Sequence, residues 1–195
     1  KYGLIIGNCC QSGMFDNSVC FGEALLRADK KGAMAYIGAS NNTYWNEDFY
    51  WAVGLRSSVA ANPTYQSNNL GAYDRLFHTH NEAHSEWMVS NMAICQAGNL
   101  AVQSSTSSLK KYYWEVYHLF GDPSVISYLT QPDEMNVTAP AVLTVGMNSM
   151  SLTAAPHAYV ALVKEGVLIG ANFADATGAV TLTFNPLTET GEYEL

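Results

Sequence analysis

The sequence predicts an α/β unit followed by an all-β unit. Residues 2–7 form an apolar run typical of a buried strand, residues 18–31 have the periodicity of a helix, and residues 33–40 form a second buried strand. A strand, a helix and a strand that follow so closely make a βαβ unit, so we expect a parallel sheet flanked by helices. After residue 140 the helical periodicity ends and short alternating segments take over.

Composition excludes two classes of function. The chain has 195 residues, is 48% hydrophobic and 13% charged, and can therefore bury a substantial core. Its net charge is −8 with only nine lysines and arginines, which argues against a nucleic-acid-binding groove and against attraction to anionic lipid. No apolar stretch approaches the roughly 20 residues of a membrane-spanning helix, so we expect no membrane span.

Both ends of the chain indicate a segment of a longer protein. Lys1 leads directly into a strand pattern, and the last residues, GEYEL, stop inside another. We therefore expect any targeting signal to lie outside these residues.

The α/β unit is predicted to hold several helices after the second strand. In the first helix Ser18 is the expected N-cap, and Gly32 follows its end. The later elements are predicted from apolar spacing and from Gly, Pro and Asn breakers. They are a helix over 44–60, a loop over 62–69, a long or broken helix over 70–95 ended by residues 97–99, a helix over 108–119, and a turn over 120–125 that leads into a short strand.

A linker separates the two predicted domains. Pro132 and Pro140 bracket a stretch without helical or strand pattern, so the domains are expected at 1–131 and 132–195, the second truncated. Short strands at 8–12-residue spacing predict an immunoglobulin-like β-sandwich for the second domain. It would lack a disulfide, because no cysteine follows Cys95.

The four cysteines fall into two groups. Cys20 and Cys95 lie in apolar helical patterns and are expected to be buried. Cys9 and Cys10 are adjacent, a spacing at which a disulfide is strained, and no C-x-x-C pair suggests zinc. They directly follow the first strand, and Ser40 to Asn42 follow the second. Because ligands of open α/β sheets bind at the carboxyl ends of strands, both loops belong to the expected site.

The residues around these loops resemble a known family. The segment CCQSGMF contains Cys10-x-x-Gly13-x-Phe15, and it is followed by Cys20-Phe21 and by Ser40-x-Asn42-x-x-Trp45. These patterns, with HLFGDPSV at 118–125 and PDEMNVTAP at 132–140, are similar to the gingipain-type, caspase-like cysteine peptidases of Bacteroidetes. The resemblance covers nearly the whole chain and is weak between residues 55 and 107.

The resemblance implies a caspase-like α/β fold, a cysteine endopeptidase activity and a secreted or cell-surface location in a bacterium. Counting from the C-x-x-G-x-F pattern selects Cys10 as the nucleophile, whereas counting back from Cys20 without a gap selects Cys9; we favour Cys10. The family's partner histidine lies upstream, so an N-terminal part of the same protein would complete the site and the fragment alone would be inactive. Gly13, Ser40, Asn42 and Trp45 would bind the peptide or protein substrate. No cofactor is required, and calcium is a possible structural ion.

Other groups have weaker functional interpretations. His78, His80 and His84 could hold a metal if His80 and His84 shared a helix face, but a polar helix face is favoured and no metal site is predicted. Glu47 and Asp48 could bind calcium, although a solvated helix start is favoured. His118 is expected to be a domain-packing residue, and Tyr112, Tyr113, Trp114 and Tyr117 core or interface residues.

One alternative function stays open and a second is rejected. The chain could be a non-catalytic secreted or surface protein that uses a caspase-like scaffold and binds through the β-sandwich. A flavodoxin-like phosphate-binding domain is disfavoured, because GNCCQSG has no G-x-G-x-x-G pattern.

Overall fold

The computed structural model describes residues 2–16, 18–56, 59, 61–77, 79–128, 131–132 and 134–195. The chain forms two compact units, residues 1–130 and 131–195. Each unit has its own hydrophobic core.

A three-stranded sheet organises the first unit. Strands β1 (Tyr2–Gly7), β2 (Ala33–Ala39) and β3 (Tyr117–Phe120) lie in the order β1-β2-β3. β1 is parallel to β2, as predicted, but β3 is antiparallel to β2. The sheet is therefore mixed. The prediction of a helix over 108–119 is wrong at its end, because residues 117–120 pair with β2.

Burial in the sheet follows this strand order. β2 lies between the other two strands, and Tyr36, Ile37 and Ala39 are completely buried. β1 pairs with β2 on one side and is half-buried from Gly3 to Gly7, so it is less buried than the buried strand that its apolar run predicts.

The helices are shorter than the sequence predicts. They are α1 (Phe21–Arg27), α2 (Trp45–Val53), α3 (Ala72–Phe77), α4 (Asn91–Gln103) and α5 (Lys110–Val116), with a 3-10 turn at His84–Glu86. Ser18 is not the N-cap of α1. Instead the Cys20 thiol accepts from the Glu23 N–H, and the Glu23 carboxylate accepts from the Cys20 N–H at 3.3 Å, which makes a capping box.

Helix α4 continues through Ala97, Gly98 and Asn99, where the sequence predicts a break. Gly98 lies against the indole of Trp51, and a Cβ atom there would stand 2.2 Å from the ring. Asn99 accepts a hydrogen bond from Trp51 Nε1 at 3.1 Å. Gly98 lets α4 approach the buried Trp51 ring of α2, and Asn99 accepts the hydrogen bond of its indole N–H. These two contacts explain why a glycine and an asparagine stand inside the helix.

The second unit contains two antiparallel pairs of strands. β4 (Ser149–Thr153) pairs with β7 (Ala179–Thr183), and β5 (Tyr159–Lys164) pairs with β6 (Val167–Phe173). Both pairs contribute buried side chains to one core, among them Leu152, Leu162 and Leu182. Residues 142–146 belong to the alternating segments that predict short strands, but they form no strand in the structure. The last residues, GEYEL, contribute only a bridge between Glu194 and Val163.

Within the described residues, every helix is too short or too polar to cross a membrane.

We predict that Gly98→Ala destabilises the first unit. The added methyl group gains helix propensity, about 1 kcal/mol, but its clash with the fully buried Trp51 ring exceeds that gain and leaves a net loss of about 2 kcal/mol. Urea unfolding followed by tryptophan fluorescence measures this, because Trp45, Trp51, Trp87 and Trp114 all lie in the first unit.

Gln96→Ala is the matched control, because Gln96 is exposed on the same helix and its replacement tests propensity alone. A Gly98→Ala chain as stable as the wild type would contradict the packing argument.

Candidate functional site

The loop that follows β1, residues 8–15, is tied to the end of β2; we call it the Cys loop. The Gln11 N–H donates to the Asn41 carbonyl at 3.0 Å, and the Gly13 N–H donates to the Ala39 carbonyl at 2.9 Å. Ser12 Oγ donates to the Gly7 carbonyl at 3.2 Å. Both thiols of the loop therefore sit at the carboxyl edge of the parallel pair, as the sequence predicts.

Gly13 is buried, and its role in the structure is packing. A Cβ atom on Gly13 would stand 2.8 Å from the Phe120 ring and 3.1 Å from the Gly38 carbonyl oxygen. Phe15 also packs edge-on against Phe120, with ring centroids 6.2 Å apart. The Gly13-x-Phe15 part of the motif thus fits the Cys loop onto β3, whereas a contact between Gly13 and substrate stays a prediction.

The Cys10 thiol is exposed and faces Thr43. Its Sγ accepts from the Thr43 N–H at 3.3 Å and lies 3.6 Å from Thr43 Oγ1. Hydrogen bonding by Thr43, chiefly through the backbone N–H, lowers the pKa of Cys10, while burial and the nearby charge of Asp48 oppose that shift. The Thr43 N–H therefore favours the thiolate form of Cys10, which is the form of a cysteine that acts as a nucleophile.

Asp48 fixes the position of Thr43. Thr43 Oγ1 donates to Asp48 Oδ2 at 2.6 Å, whereas its distance to the Cys10 sulfur is 3.6 Å. A hydroxyl has one proton to donate, and the contact with the Asp48 carboxylate is shorter than the contact with the Cys10 sulfur. The Thr43 hydroxyl therefore donates to Asp48 and not to Cys10. The backbone N–H of Thr43 is then the donor that stabilises the Cys10 thiolate.

Two tyrosines complete the environment of Asp48. The Tyr113 hydroxyl donates to Asp48 Oδ1 at 2.9 Å and the Tyr117 hydroxyl donates to the same atom at 2.8 Å. Burial, together with the Asp48 charge, raises the pKa of both tyrosines, so both stay protonated donors. Asn8 links this group to the Cys loop, because its Nδ2 donates to the Asp48 carbonyl at 2.9 Å and its Oδ1 shares the single Tyr117 hydroxyl proton with Asp48 Oδ1.

Glu47 and Asp48 do not form the solvated helix start that the sequence favours. Glu47 is buried and accepts a hydrogen bond from Ser107 Oγ at 2.6 Å. Both carboxylates serve as acceptors for protein hydroxyls, which explains how α2 can begin with two acids against a hydrophobic core.

The predicted substrate-binding residues after β2 lie in one loop with Thr43. Ser40 Oγ is 3.0 Å from His118 Nε2, and the Asn42 carbonyl accepts from the Tyr112 hydroxyl at 2.8 Å. The Trp45 side chain is 89% exposed at the start of α2. Ser40, Asn42 and Trp45 therefore share the sheet edge that carries Cys10. His118 lies inside the first unit, where it contacts Ser40.

The histidines at 80 and 84 do not share a helix face. Asn81 has a positive φ of 63°, and His84 begins a 3-10 turn. His80 stacks on Tyr65, with centroids 3.6 Å apart, and lies 3.7 Å from Glu82. His78 lies outside the described residues. Elsewhere in the described chain, no three His, Cys, Asp or Glu side chains are grouped as a metal site would need.

The remaining predictions for side chains are largely confirmed. All four cysteines are free, with Cys20 and Cys95 buried and Cys9 and Cys10 exposed. Tyr113 and Tyr117 are core residues, but Trp114 is 41% exposed. Sequence reasoning missed Thr43. The available signal was its position, because this hydroxyl residue stands in the same loop as the predicted site residues Ser40 and Asn42.

Removing the Thr43 N–H should raise the pKa of Cys10. Thr43→Pro deletes that donor, and Thr43→Ala, the matched control, keeps it while deleting the hydroxyl. The rate of iodoacetamide alkylation is measured against pH in a Cys9→Ser background, where Cys10 is the one exposed thiol and the other remaining cysteines, Cys20 and Cys95, are buried. We expect the alkylation curve of Thr43→Pro to move to higher pH and that of Thr43→Ala to stay close to the parent.

Coincident curves for Thr43→Pro and its parent would show that the backbone donor does not stabilise the thiolate.

Comparison with known proteins gives one consistent family. The profile of peptidase family C25 matches residues 1–127. The chain is 41% identical to Lys-gingipain of Porphyromonas gingivalis over its whole length, and it spans about a tenth of the curated relatives it matches, 11% in this case.

Two solved structures share the fold. A structure titled "Structure of Protease" matches 99% of this chain and 43% of its own, with a TM-score of 0.86 and 39% identity. The crystal structure of the Arg-specific cysteine proteinase gingipain R matches 95% of this chain and 40% of its own, with a TM-score of 0.74 and 21% identity. With the profile match over residues 1–127, these similarities show that the chain belongs to peptidase family C25.

Proposed function

We propose that the protein is a cysteine endopeptidase and that Cys10 is its nucleophile. The observation that carries this proposal is the Cys10 thiol, exposed at the end of β1 and hydrogen-bonded by the Thr43 N–H at 3.3 Å. Cys9 is equally exposed, but Cys10 has the partners that lower a thiol pKa. These hydrogen bonds support the choice of Cys10 as nucleophile that the C-x-x-G-x-F pattern favours.

The reaction would be acyl transfer. The proposed histidine takes the Sγ proton of Cys10, and the thiolate attacks the scissile carbonyl carbon, forming the S–C bond while the carbonyl oxygen takes the electron pair of the C=O π bond. The Cys10 N–H is a donor available for that oxyanion. Collapse of the intermediate breaks the C–N bond, the leaving amine takes a proton from a histidine, and water then hydrolyses the thioester to acid and free thiol.

The proton donor is proposed to lie on a segment upstream of residue 1. His118 is 3.0 Å from Ser40 and packs edge-on against Phe15, and His80 stacks on Tyr65. The described contacts of these two rings are thus with groups other than Cys10. The N-terminal part of the same protein is therefore the proposed partner, and the 195-residue chain alone would have no peptidase activity.

Peptide substrates would be held by Ser40, Asn42 and Trp45. The exposed Trp45 indole would offer a flat wall, and Ser40 and Asn42 would offer polar atoms from the loop that precedes it. Because a relative 41% identical to this chain is named Lys-gingipain, we propose lysine as the residue before the cut. We further propose a secreted or cell-surface location, an immunoglobulin-like sandwich for residues 132–195, and no required cofactor, with calcium as a possible structural ion.

The decisive experiment labels the full-length gene product with peptidyl acyloxymethyl ketones. Probes with Lys, Arg or Ala before the ketone are compared, with and without EGTA, and the modified peptide is identified by mass spectrometry. We expect peptide-dependent modification of Cys10, strongest with Lys and insensitive to EGTA, and loss of peptidase activity in Cys10→Ala but not in Cys9→Ala.

Modification of Cys9 would keep the enzyme and move the nucleophile. Absence of labelling in folded protein with free thiols would instead favour the non-catalytic scaffold.

Trp45→Ala tests the substrate wall. The side chain is 89% exposed, so its loss should leave folding and kcat nearly unchanged while KM for a lysyl peptide rises about tenfold, which corresponds to loss of one aromatic contact. Trp114→Ala is the control, because Trp114 is also partly exposed and lies on α5 rather than in the substrate loop. Equal KM values for Trp45→Ala and wild type would remove Trp45 from the site.

A further inference from the structure

One peptide group lies between the Cys10 thiol and helix α5. The carbonyl oxygen of Asn42 and the N–H of Thr43 belong to the same planar peptide unit and point in opposite directions. The N–H faces Cys10 Sγ at 3.3 Å, and the oxygen accepts a hydrogen bond from the Tyr112 hydroxyl at 2.8 Å. The donor that stabilises the Cys10 thiolate is therefore held on its other side by a tyrosine of α5.

The chemical groups themselves fix the direction of both hydrogen bonds. A carbonyl oxygen can only accept, and a backbone N–H can only donate. The Tyr112 hydroxyl therefore donates to the Asn42 oxygen, and the Thr43 N–H donates to the Cys10 sulfur. The two bonds form a chain that runs in one direction, from the phenol through the peptide group to the sulfur, and in such a chain each bond polarises the next.

Helix α5 also holds the peptide group on the other side of Thr43. The Tyr44 N–H donates to the Tyr113 hydroxyl at 2.9 Å. The Thr43 carbonyl, which belongs to the same peptide group, accepts from the protonated Cys10 thiol at 3.6 Å. The thiol and the thiolate of Cys10 thus have different partners on Thr43, and the orientation of the two peptide groups decides which form is favoured.

Aromatic packing places the Tyr112 ring. Its centroid lies 6.2 Å from that of Tyr44 and 6.3 Å from that of Tyr113, and both contacts are edge-on. Burial of the half-buried side chain, followed by the nearby charges of Tyr44 and Cys10, raises the pKa of Tyr112. Its hydroxyl therefore keeps its proton over the range in which the Cys10 thiol ionises, and stays a donor.

We propose that Tyr112 is a positioning residue for the nucleophile, because its hydroxyl fixes and polarises the peptide group whose N–H stabilises the Cys10 thiolate. The inference rests on the proposed function, since it takes Cys10 as the nucleophile. Tyr112 acts through the Asn42–Thr43 peptide group. Loss of its hydroxyl should therefore change the ionisation of Cys10 and leave the sulfur accessible.

The replacement Tyr112→Phe leaves the other titratable groups of the site in place. Among the described residues, those around Cys10 and Tyr112 are Asp48 on α2, Tyr44 before that helix and the adjacent Cys9. The charge of Asp48 opposes the thiolate in the parent and in the variant alike. A Cys9→Ser background removes the competing thiol from both.

The test measures the rate of iodoacetamide alkylation against pH on the full-length gene product with Cys9→Ser. Tandem mass spectrometry quantifies the adduct on Cys10. Below the pKa of Cys10, where the rate follows the thiolate fraction, we expect Tyr112→Phe to lower the rate about threefold. Above that pKa the rate should equal or slightly exceed the parent rate, because a more basic thiolate is a stronger nucleophile.

A merely structural effect would not produce this pattern. A change in access to Cys10 would scale the rate by the same factor at every pH. Tyr2→Phe is the matched control, because Tyr2 is 71% exposed at the start of β1, the end of the strand opposite to the Cys loop, and its curve should coincide with the parent curve. Replacing Tyr112 by 3-fluorotyrosine, whose more acidic phenol is a stronger donor, should move the curve to lower pH.

Two results would overturn the inference. One is a Tyr112→Phe curve that coincides with the parent curve or is scaled equally at every pH. The other is an undiminished shift by Tyr112→Phe in a Thr43→Pro background, where the N–H through which it acts is gone. Peptidase activity retained in Cys10→Ala would overturn the proposed function instead, whatever the alkylation curves show, so the two failures are distinguishable.

Discussion

The carboxylate of Asp48 is the acceptor around which the candidate site is arranged. It receives hydroxyl protons from Thr43, Tyr113 and Tyr117. Because the Thr43 hydroxyl donates to this carboxylate, the donor that Thr43 presents to the Cys10 sulfur is its backbone N–H. A residue with no direct contact to the thiol thus decides which donor the thiol meets.

Close approach between glycines and aromatic rings supports the same region. The Tyr36 ring fills the space where Gly7, Gly22 and Gly38 lack side chains, so β1, α1 and β2 approach one another at a single residue. Gly13 meets Phe120 in the same way. These contacts are possible because each glycine has only a hydrogen atom in place of a side chain. A methyl group added at any of these positions would have to displace an aromatic ring. The positions of both loops therefore depend on the packing beneath them.

The spacing of apolar residues along the chain correctly predicted the elements whose structure depends on neighbouring residues. The first βαβ unit, the position of the cysteine pair at its carboxyl edge and the buried Cys20 and Cys95 followed from apolar runs and from strand direction. The predictions that failed depend on distant partners. Residues 97–99 look like a helix break, yet α4 continues because Trp51 requires Gly98 and Asn99. β3 looked like a helix end, because its pairing with β2 is not visible along the chain.

The candidate site was predicted in the same uneven way. Cys10, Ser40, Asn42 and Trp45 came from motif spacing, and the structure places all four at one sheet edge. Asp48 and His118 were assigned to solvent and to domain packing, because their roles depend on Thr43 and Ser40, whose orientation a sequence does not reveal. The partners of a buried polar side chain depend on three-dimensional contacts between distant residues, and only the structure reveals those contacts.

The sequence separation of these contacts bears on how the protein is made. Thr43 is 33 residues from Cys10, and the Tyr117 hydroxyl reaches Asn8 across 109 residues. During synthesis the cysteine pair therefore leaves the ribosome long before β3 exists. Until Tyr117 has emerged and docked, the hydrogen bonds that organise Asp48 are incomplete. The site is thus assembled late, after nearly all of the first unit has been translated.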